Sequence, residues 1–326
     1  MRALIVRALL ALLGFAGPAA AQPVAQEPIV RPARLCIYYG WPSAVNGSGG
    51  NVAAATTHFL KCDVIVFPDG VEHPAHGDHA ATREIVANLV GASRKVFGYV
   101  DLGVSTQNLT IAQMQGYVDE WRQMGASGIF FDDAGFDYKV TRARQNAMID
   151  YVHAQGMPVF LNAWEIDDVL GDLDENGAPS PTRVRAGDWY LAESWLVGGG
   201  RYMSPPEWAV KADKALAYAR TKDVKIAAVS TAPAKKALAG DAATDKFKMA
   251  WWGAAMYALA AWQWTDIGYS SADAVLRTYA PAPGYGGAFL GPVVHASKNT
   301  LHTRPTNIGT ITVSGNGVRR GTGQFK

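Results

Sequence analysis

The sequence predicts an α/β fold, specifically a (β/α)8 TIM barrel with a short C-terminal β-hairpin extension. Strand-like and helix-like segments alternate regularly along most of the 326 residues. The strand-like segments are short, nearly continuous apolar runs, which is typical of parallel strands that are buried on both faces. In addition, acidic residues directly follow three of these runs, in a position that packing alone explains poorly.

Eight segments have the character of strands, and helical patterns lie between most of them. The strand candidates span residues 35–40, 64–67, 95–100, 128–131, 158–161, 189–192, 225–230 and 259–263. Helices are expected after Thr110, which is placed as an N-cap, and over residues 142–155, 206–220 and 244–257. Eight such units fit a barrel of about 250 residues. A doubly wound open sheet is the alternative, but no Gly-x-Gly-x-x-Gly turn follows an early strand.

The two ends of the chain differ from the alternating part. A basic start, an apolar stretch at residues 8–17 and small residues at 18–21 predict a signal peptide over residues 1–21. Residues 22–34 form a leader, 35–282 the barrel and 283–326 the extension, in which Asn316 and Gly317 indicate a hairpin turn. We therefore expect a secreted or periplasmic protein, with a retained membrane anchor as the alternative.

Charge and cysteine content restrict the partners and the compartment. The formal net charge is only +2 and no long basic run occurs, which argues against a nucleic acid or a membrane surface as the partner after signal cleavage. Cys36 lies in the first predicted strand and Cys62 just before the second. Export makes a disulfide between them possible, and two buried thiols are the alternative.

Carboxylates at strand ends are the strongest functional signal. The runs at residues 96–101 (VFGYVD), 128–133 (GIFFDD) and 189–193 (WYLAE) end in Asp101, the pair Asp132 and Asp133, and Glu193. The C-terminal ends of barrel strands are where active sites form. Successive strand residues point to opposite faces, so one acid of the pair should face the pocket while the other supports it. The alternative is that these acids only cap helices or form ion pairs.

Two carboxylates across one pocket are the machinery of glycoside hydrolysis. Asp132 is the candidate nucleophile or charge-stabilising carboxylate and Glu193 the candidate general acid/base, although the roles could be exchanged. Aromatic residues at strand ends suit stacking against sugar rings, and polar residues there suit hydrogen bonds to hydroxyl groups. The predicted substrate-binding residues are Asp101, Asp133, Asn162, Tyr39, Trp164, Trp195, Gln263 and Trp264.

Neither of two metal-like patterns supports a metal site. His73, His76, Asp78 and His79 cluster after the second strand, but a solvated loop explains them better than zinc. Residues 172–177 match the first half of a calcium-binding loop, but Arg183 stands where the loop needs Glu, so a polar turn is expected. We predict neither a metal nor a cofactor.

At this point the motifs resemble a known family. Residues 128–133 (GIFFDD) resemble the fourth-strand motif of spherulin-like glycoside hydrolases and of the related endo-α-1,4-polygalactosaminidase group. Residues 97–103 and 160–162 resemble their preceding and following strands, and Glu193 falls where the family has its second acid. The resemblance implies a (β/α)8 barrel that cleaves exported polysaccharides rich in galactosamine or N-acetylgalactosamine. Asp133 is a departure, because spherulin-like members often have Glu there.

The sequence therefore predicts an exported glycoside hydrolase whose partner is a polysaccharide. Two other functions fit a barrel of this kind. One is a carbohydrate-binding barrel without catalysis, and the other is an envelope scaffold protein. Because one fold hosts many functions, the geometry of the carboxylates must distinguish these possibilities.

Overall fold

Eight parallel strands close into a barrel within the part of the chain that the structure describes. This computed structural model describes residues 28–233, 245–266, 276, 287–315 and 320–322. The strand order around the barrel is β1-β8-β7-β6-β5-β4-β3-β2, so the predicted (β/α)8 topology is confirmed. The strands are β1 Ala33–Ile37, β2 Val64–Phe67, β3 Lys95–Asp101, β4 Gly128–Asp132, β5 Val159–Asn162, β6 Trp189–Ala192, β7 Lys225–Ala232 and β8 Ala261–Asp266.

Helices surround the barrel between successive strands. They are α1 Val52–Phe59, α2 His79–Gly91, α3 Ile111–Gln123, α4 Arg142–Ala154, α5 Asp167–Leu170, α6 Pro205–Lys222 and α7 Asp245–Met256. Thr110 caps α3 as predicted, since its side chain accepts a hydrogen bond from the Gln113 amide while the Gln113 side chain accepts one from the Thr110 amide. Among the described residues, no helix combines the length and the apolar character that crossing a bilayer requires.

Side-chain alternation along the strands divides the core into two layers. One face of each strand packs into the barrel interior, where Phe97, Phe130, Phe160 and Trp189 meet mostly edge to face. The other face packs against the helices. Burying each such aromatic side chain contributes roughly 1.5–3 kcal/mol, which makes the filled interior a major source of stability. The barrel interior is therefore a packed core rather than a channel, and a site is expected at its mouth, the C-terminal end of the strands.

A glycine in β3 allows one helix to approach the barrel closely. A Cβ atom on Gly98 would lie 2.0 Å from the Trp121 ring. With no side chain there, the fully buried Trp121 of α3 packs onto β3 and donates its indole N–H to the Tyr99 carbonyl at 3.0 Å. Any larger residue at position 98 would displace α3 and disturb the strand that carries Tyr99.

Cys36 and Cys62 form a disulfide. Their Cα atoms lie 6.0 Å apart, because Cys36 is in β1 on the helix-facing side and Cys62 immediately precedes the neighbouring strand β2. The bond closes a loop across a sequence separation of 26 residues. The first of the two alternatives from the sequence is thus the one found.

The C-terminal segment forms a four-stranded antiparallel sheet. Its strands are Val294–Ala296 (β9), Leu301–Thr306 (β10), Gly309–Ser314 (β11) and Arg320–Thr322 (β12). The predicted hairpin, with its turn at Asn316 and Gly317, corresponds to the antiparallel pair β11 and β12, and β10 and β9 extend the sheet on the other side. Two predictions lie outside the described residues: the turn at Asn316 and Gly317, and the signal peptide over residues 1–21.

A hydrogen-bond chain joins this sheet to the helices. His302 is fully buried in β10, and its Nδ1 lies 2.7 Å from Nδ1 of His295. His295 Nε2 donates to Oδ2 of Asp213 in α6 at 2.9 Å, and the Tyr257 hydroxyl donates to Oδ1 of the same carboxylate at 2.7 Å. The two imidazoles can share one proton between their Nδ1 atoms, but a second proton there would break the contact.

The His302 contact predicts an acid-sensitive stability. Burial, followed by the neighbouring His295, lowers the pKa of His302 to about 4. Since the unfolded chain takes up this proton near pH 6.5, the stabilisation is fully present above that pH and is lost as the pH falls toward 4. We expect wild type to lose up to about 3 kcal/mol of unfolding free energy more than His302→Gln across this window. Urea unfolding of both proteins from pH 4 to 7.5 measures the difference, and parallel curves would contradict it.

Candidate active site

Three polar side chains reach the mouth of the barrel on the inward face of neighbouring strands. Phe130 and Phe160 point into the interior, so the residues two positions later, Asp132 and Asn162, point the same way at the strand ends. On β6 the inward residue is Leu191, and Glu193 follows it with the same alternation. The sequence prediction that the strand ends gather carboxylates is consistent with this geometry.

Asp132 sits at the centre of a hydrogen-bonded group. Its Oδ1 accepts the backbone N–H of Asp133 at 3.1 Å, and its Oδ2 lies 3.5 Å from the Tyr39 hydroxyl. The Tyr99 hydroxyl also donates to this carboxylate. Tyr39 and Tyr99 pack edge to face with ring centroids 5.5 Å apart, which fixes both hydroxyl groups. Three donors on one carboxylate hold its orientation.

Burial, together with the nearby carboxylates of Asp133 and Glu193, raises the pKa of Asp132 to about 7. Hydrogen bonds from the Asp133 amide and from Tyr99 act in the opposite direction, because they favour the ionised form. The same surroundings raise the pKa of Tyr99, so that hydroxyl keeps its proton and remains a donor. Asp132 can therefore gain or lose a proton near neutral pH, which general acid–base chemistry requires.

Asp133 points away from Asp132, although the two are adjacent. The backbone of Asp133 has φ of 52°, so the strand ends there in a left-handed turn. Its carboxylate accepts a hydrogen bond from the Tyr138 side chain, and burial followed by the charge of Asp101 raises its pKa. The expectation that the pair splits, with one acid facing inward and the other supporting it, agrees with these contacts.

Glu193 occupies the rim directly after β6. The residue as a whole is exposed, yet desolvation of its carboxyl group raises its pKa, and the charge of Asp133 adds to this effect. The Asn162 amide and the Lys211 ammonium group lower it. Asn162 is 6% exposed, and its Nδ2 has no acceptor at full hydrogen-bond geometry among the described residues.

A cleft opens beside Glu193, between the ends of β5 and β6 and helix α6, with an empty volume of ≈ 650 Å³ that includes space open to solvent. Trp164 is 47% exposed there, and Nζ of Lys211 lies 3.8 Å from the centre of its ring. Tyr190 and Trp208 form much of the apolar wall. The structure thus places Trp164, one of the predicted substrate-binding residues, at the same cleft as Glu193.

Four predicted sugar contacts are placed elsewhere. Asp101 is 2% exposed and accepts hydrogen bonds from the Gly103 amide and the Thr106 hydroxyl, so it organises the loop after β3. Gln263 does face the barrel interior, but its amide binds both backbone groups of Ile37 and joins β8 to β1. These two polar side chains are therefore already occupied within the protein.

The other two corrections concern tryptophans. Trp264 points outward from β8 and packs against Phe247 in the helix layer, where it is 1% exposed. Trp195 is 2% exposed and packs edge to face on Trp208 and Tyr257, so it borders the cleft only as a buried wall. Neither presents an open ring face to a sugar.

Three further residues shape the site and were missed from the sequence. Tyr99 lies two residues after Phe97 and points into the barrel as Phe97 does, so strand alternation could have identified Tyr99. Tyr138 and Lys211 come from a short 3-10 helix and from α6, and no local pattern connects them to Asp133 or Glu193. Only the tertiary fold brings them to the mouth.

The histidine-rich loop after β2 is held by hydrogen bonds of its own. His76 Nδ1 accepts the Asp78 amide at 3.1 Å, and His79 Nδ1 lies 3.0 Å from the Val71 carbonyl. The Asp78 carboxylate binds the backbone amide of Ser43 at 3.0 Å. Across the described ranges, no three His, Cys, Asp or Glu side chains converge in a way that could hold a metal ion.

Comparison with known proteins finds similar solved structures at low sequence identity. No family model matches the sequence, and no curated protein matches it. Among solved structures, Eubacterium rectale Amy13B is similar at 9% identity, covering 88% of this chain and 87% of its own, with a TM-score of 0.49. A chitinase from Chromobacterium violaceum has 15% identity, coverage of 60% and 68%, and a TM-score of 0.35. Xanthomonas albilineans dihydropteroate synthase has 14% identity, coverage of 74% and 89%, and a TM-score of 0.40.

These similarities are confined to the architecture. The resemblance to spherulin-like glycoside hydrolases remains a prediction from short motifs.

The raised pKa of Asp132 predicts that the native state is destabilised by ionisation. The native carboxyl group keeps its proton up to about pH 7, whereas the unfolded chain releases it near pH 4. Its stabilisation is therefore complete below pH 4 and is lost as the pH rises through 7. We expect Asp132→Asn to be more stable than wild type at pH 8 by at most about 4 kcal/mol, and equally stable at pH 4.

Thermal or urea unfolding at pH 4, 6 and 8 measures this difference. Asp150→Asn is the matched control, because it removes an exposed carboxylate on α4, away from the mouth. A gain in stability that is independent of pH would contradict the assignment.

Proposed function

We propose that the protein is an exported glycoside hydrolase in which Asp132 and Glu193 form the catalytic pair. The observation that carries this proposal is the placement of both acids at inward positions of the barrel mouth, where burial raises the pKa of each carboxyl group. The open cleft beside Glu193 and the exposed ring of Trp164 suit a sugar chain. The Cys36–Cys62 disulfide supports export, because such bonds persist mainly in oxidising compartments.

The surroundings of the two acids favour distinct roles. Asp132 is held by Tyr39, Tyr99 and a backbone amide, all of which stabilise its negative charge. That suits the carboxylate that attacks or stabilises the anomeric carbon. Glu193 lies at the rim, and its raised pKa suits the proton donor to the leaving oxygen. Because the two groups interact, they titrate as a pair, and the active form carries one proton between them.

The mouth favours a cationic substrate. Five carboxylates lie close enough to act on one another electrostatically, namely Asp101, Asp132, Asp133, Asp137 and Glu193. Lys211 is the basic side chain that acts on Glu193. A hexosamine with a free amino group would reduce the repulsion among these acids, whereas an acetamido sugar would not. We therefore propose a galactosamine-containing polysaccharide, or another polymer of free amino sugars, as the substrate class.

Substitution of each catalytic acid tests the activity. We expect wild type to release reducing ends from at least one amino-sugar polymer, and Asp132→Asn and Glu193→Gln to lose roughly 10²–10⁴-fold or more in kcat while remaining folded. Asp150→Asn should keep wild-type activity. If wild type and all three variants bind a polymer and none of these proteins cleaves it, the result favours the carbohydrate-binding alternative. Full activity in either acid variant would refute the pair.

The coupled pair also predicts the pH dependence of catalysis. Activity should fall at high pH as the single shared proton is lost. Because the pKa of Asp132 is about 7, this loss should occur near or above neutral pH. At low pH it should fall again when both acids are protonated. A bell-shaped profile of kcat/KM is expected, and a flat profile from pH 4 to 9 would contradict acid–base catalysis by these groups.

Chemical acetylation of the substrate tests the charge preference. Converting the amino groups of a cleaved polymer to acetamides should lower kcat/KM by about tenfold or more, since a charge pair near a protein surface is worth a few kcal/mol. The advantage of the free amine should shrink as salt rises, because exposed charges are screened. Equal rates on both forms, at low and high salt, would rule out amine recognition.

A further inference from the structure

Trp41 is an exposed aromatic residue that the catalytic pair does not account for. Of the ten tryptophans in the chain, all of which the structure describes, only Trp41 and Trp164 are classed as exposed, at 56% and 47%. An indole ring left in water forgoes the roughly 1.5–3 kcal/mol that burial of a large apolar side chain supplies. Both exposed rings lie in loops that follow barrel strands, at the end of the barrel where the carboxylates lie.

The strand order places these two rings on opposite sides of the mouth. Trp41 follows β1 and Trp164 follows β5, and four steps separate these strands in either direction around the closed barrel. With strands about 4.8 Å apart and tilted by about 36°, opposite strands are roughly 15 Å apart. This span accommodates a chain of several sugar rings, and neither tryptophan alone could contact all of it.

Both proposed catalytic acids lie along the path between the two rings. Tyr39, two residues before Trp41, approaches the Asp132 carboxylate at 3.5 Å. Glu193 and Trp164 line the same cleft on the far side. A chain that crosses the mouth from one tryptophan to the other therefore passes the acids.

The structure also holds the Trp41 ring in place. Pro42 begins a short 3-10 helix immediately after it, and the Asp78 side chain binds both the amide and the hydroxyl of Ser43. The His76 ring packs edge to face on Trp41 with centroids 5.3 Å apart. A Cβ on Gly77 would lie 3.3 Å from the Trp41 ring, so the glycine gives the indole its space. The ring is thus both exposed and oriented.

We propose that Trp41 is a distal platform on which a sugar ring of an extended glycan stacks, while Trp164 contacts the same chain at the opposite side. This inference rests on the proposed function. A flat indole with a polar surround suits the C–H face of a sugar, and an amino sugar would add a cation–π attraction. The binding site is then a groove across the whole mouth, and affinity grows with chain length.

Chain-length dependence in full-length protein tests the platform. For Trp41→Ala, we expect KM for long oligomers of a cleaved amino-sugar polymer to rise about three- to tenfold, with kcat unchanged. For the shortest cleaved oligomer, KM should stay within twofold of wild type, because such a substrate does not reach Trp41. Trp41→Phe should retain most of the affinity for long oligomers. Val90→Ala, which trims an exposed apolar side chain at the end of α2, is the matched control and should change nothing.

Binding to the inactive Asp132→Asn protein separates this inference from the proposed catalysis. Adding Trp41→Ala to Asp132→Asn should weaken binding of long oligomers by the same factor, measured by calorimetry. If wild type cleaves long oligomers and Trp41→Ala changes neither KM nor binding, the platform is wrong while the hydrolase stands. If Trp41→Ala weakens all lengths equally, the distal position is wrong. If wild type neither binds nor cleaves any glycan tested, the hydrolase and the platform both fail.

Discussion

Side-chain alternation in a closed parallel barrel is the constraint on which the site depends. Once β4 and β5 pack Phe130 and Phe160 into the interior, the residues two positions later must face the axis at the strand ends. The interior below them is filled with aromatic side chains, so water does not solvate the site from beneath. Asp132 therefore meets an apolar floor, two tyrosine hydroxyls and other acids, and the proton affinity of its carboxyl group rises for that reason.

The same electrostatics connect stability and function. Ionising Asp132 in the free protein costs stability because burial and the charges of Asp133 and Glu193 oppose it. A substrate with positive charge would offset that repulsion in the bound state only. The free energy that this repulsion costs the free protein thus becomes available to binding, so an arrangement of like charges can serve recognition.

Local pattern was sufficient for the barrel and for the inward acids, and insufficient for side chains whose partners are distant in sequence. The apolar runs predicted the eight strands because both faces of each are buried. In β8, alternation puts Trp262 and Trp264 on one face and Gln263 on the other, but only the fold shows which face turns toward the helices. Gln263 has the correct phase, yet Ile37, its backbone partner, is 226 residues away in sequence. The left-handed turn at Asp133 and the approach of Lys211 likewise depend on packing between elements.

The C-terminal sheet has a role in the wall of the cleft. His302 of β10 packs against Trp208 with ring centroids 5.1 Å apart, and Trp208 in turn packs against Trp195, two residues beyond Glu193. The Tyr257 ring contacts both tryptophans and binds Asp213, to which His295 of the sheet also donates. Because interiors of this density transmit displacements, loss of the sheet would loosen the segment that positions Glu193. The extension therefore supports the rim of the site from behind, although none of its described residues lines the cleft.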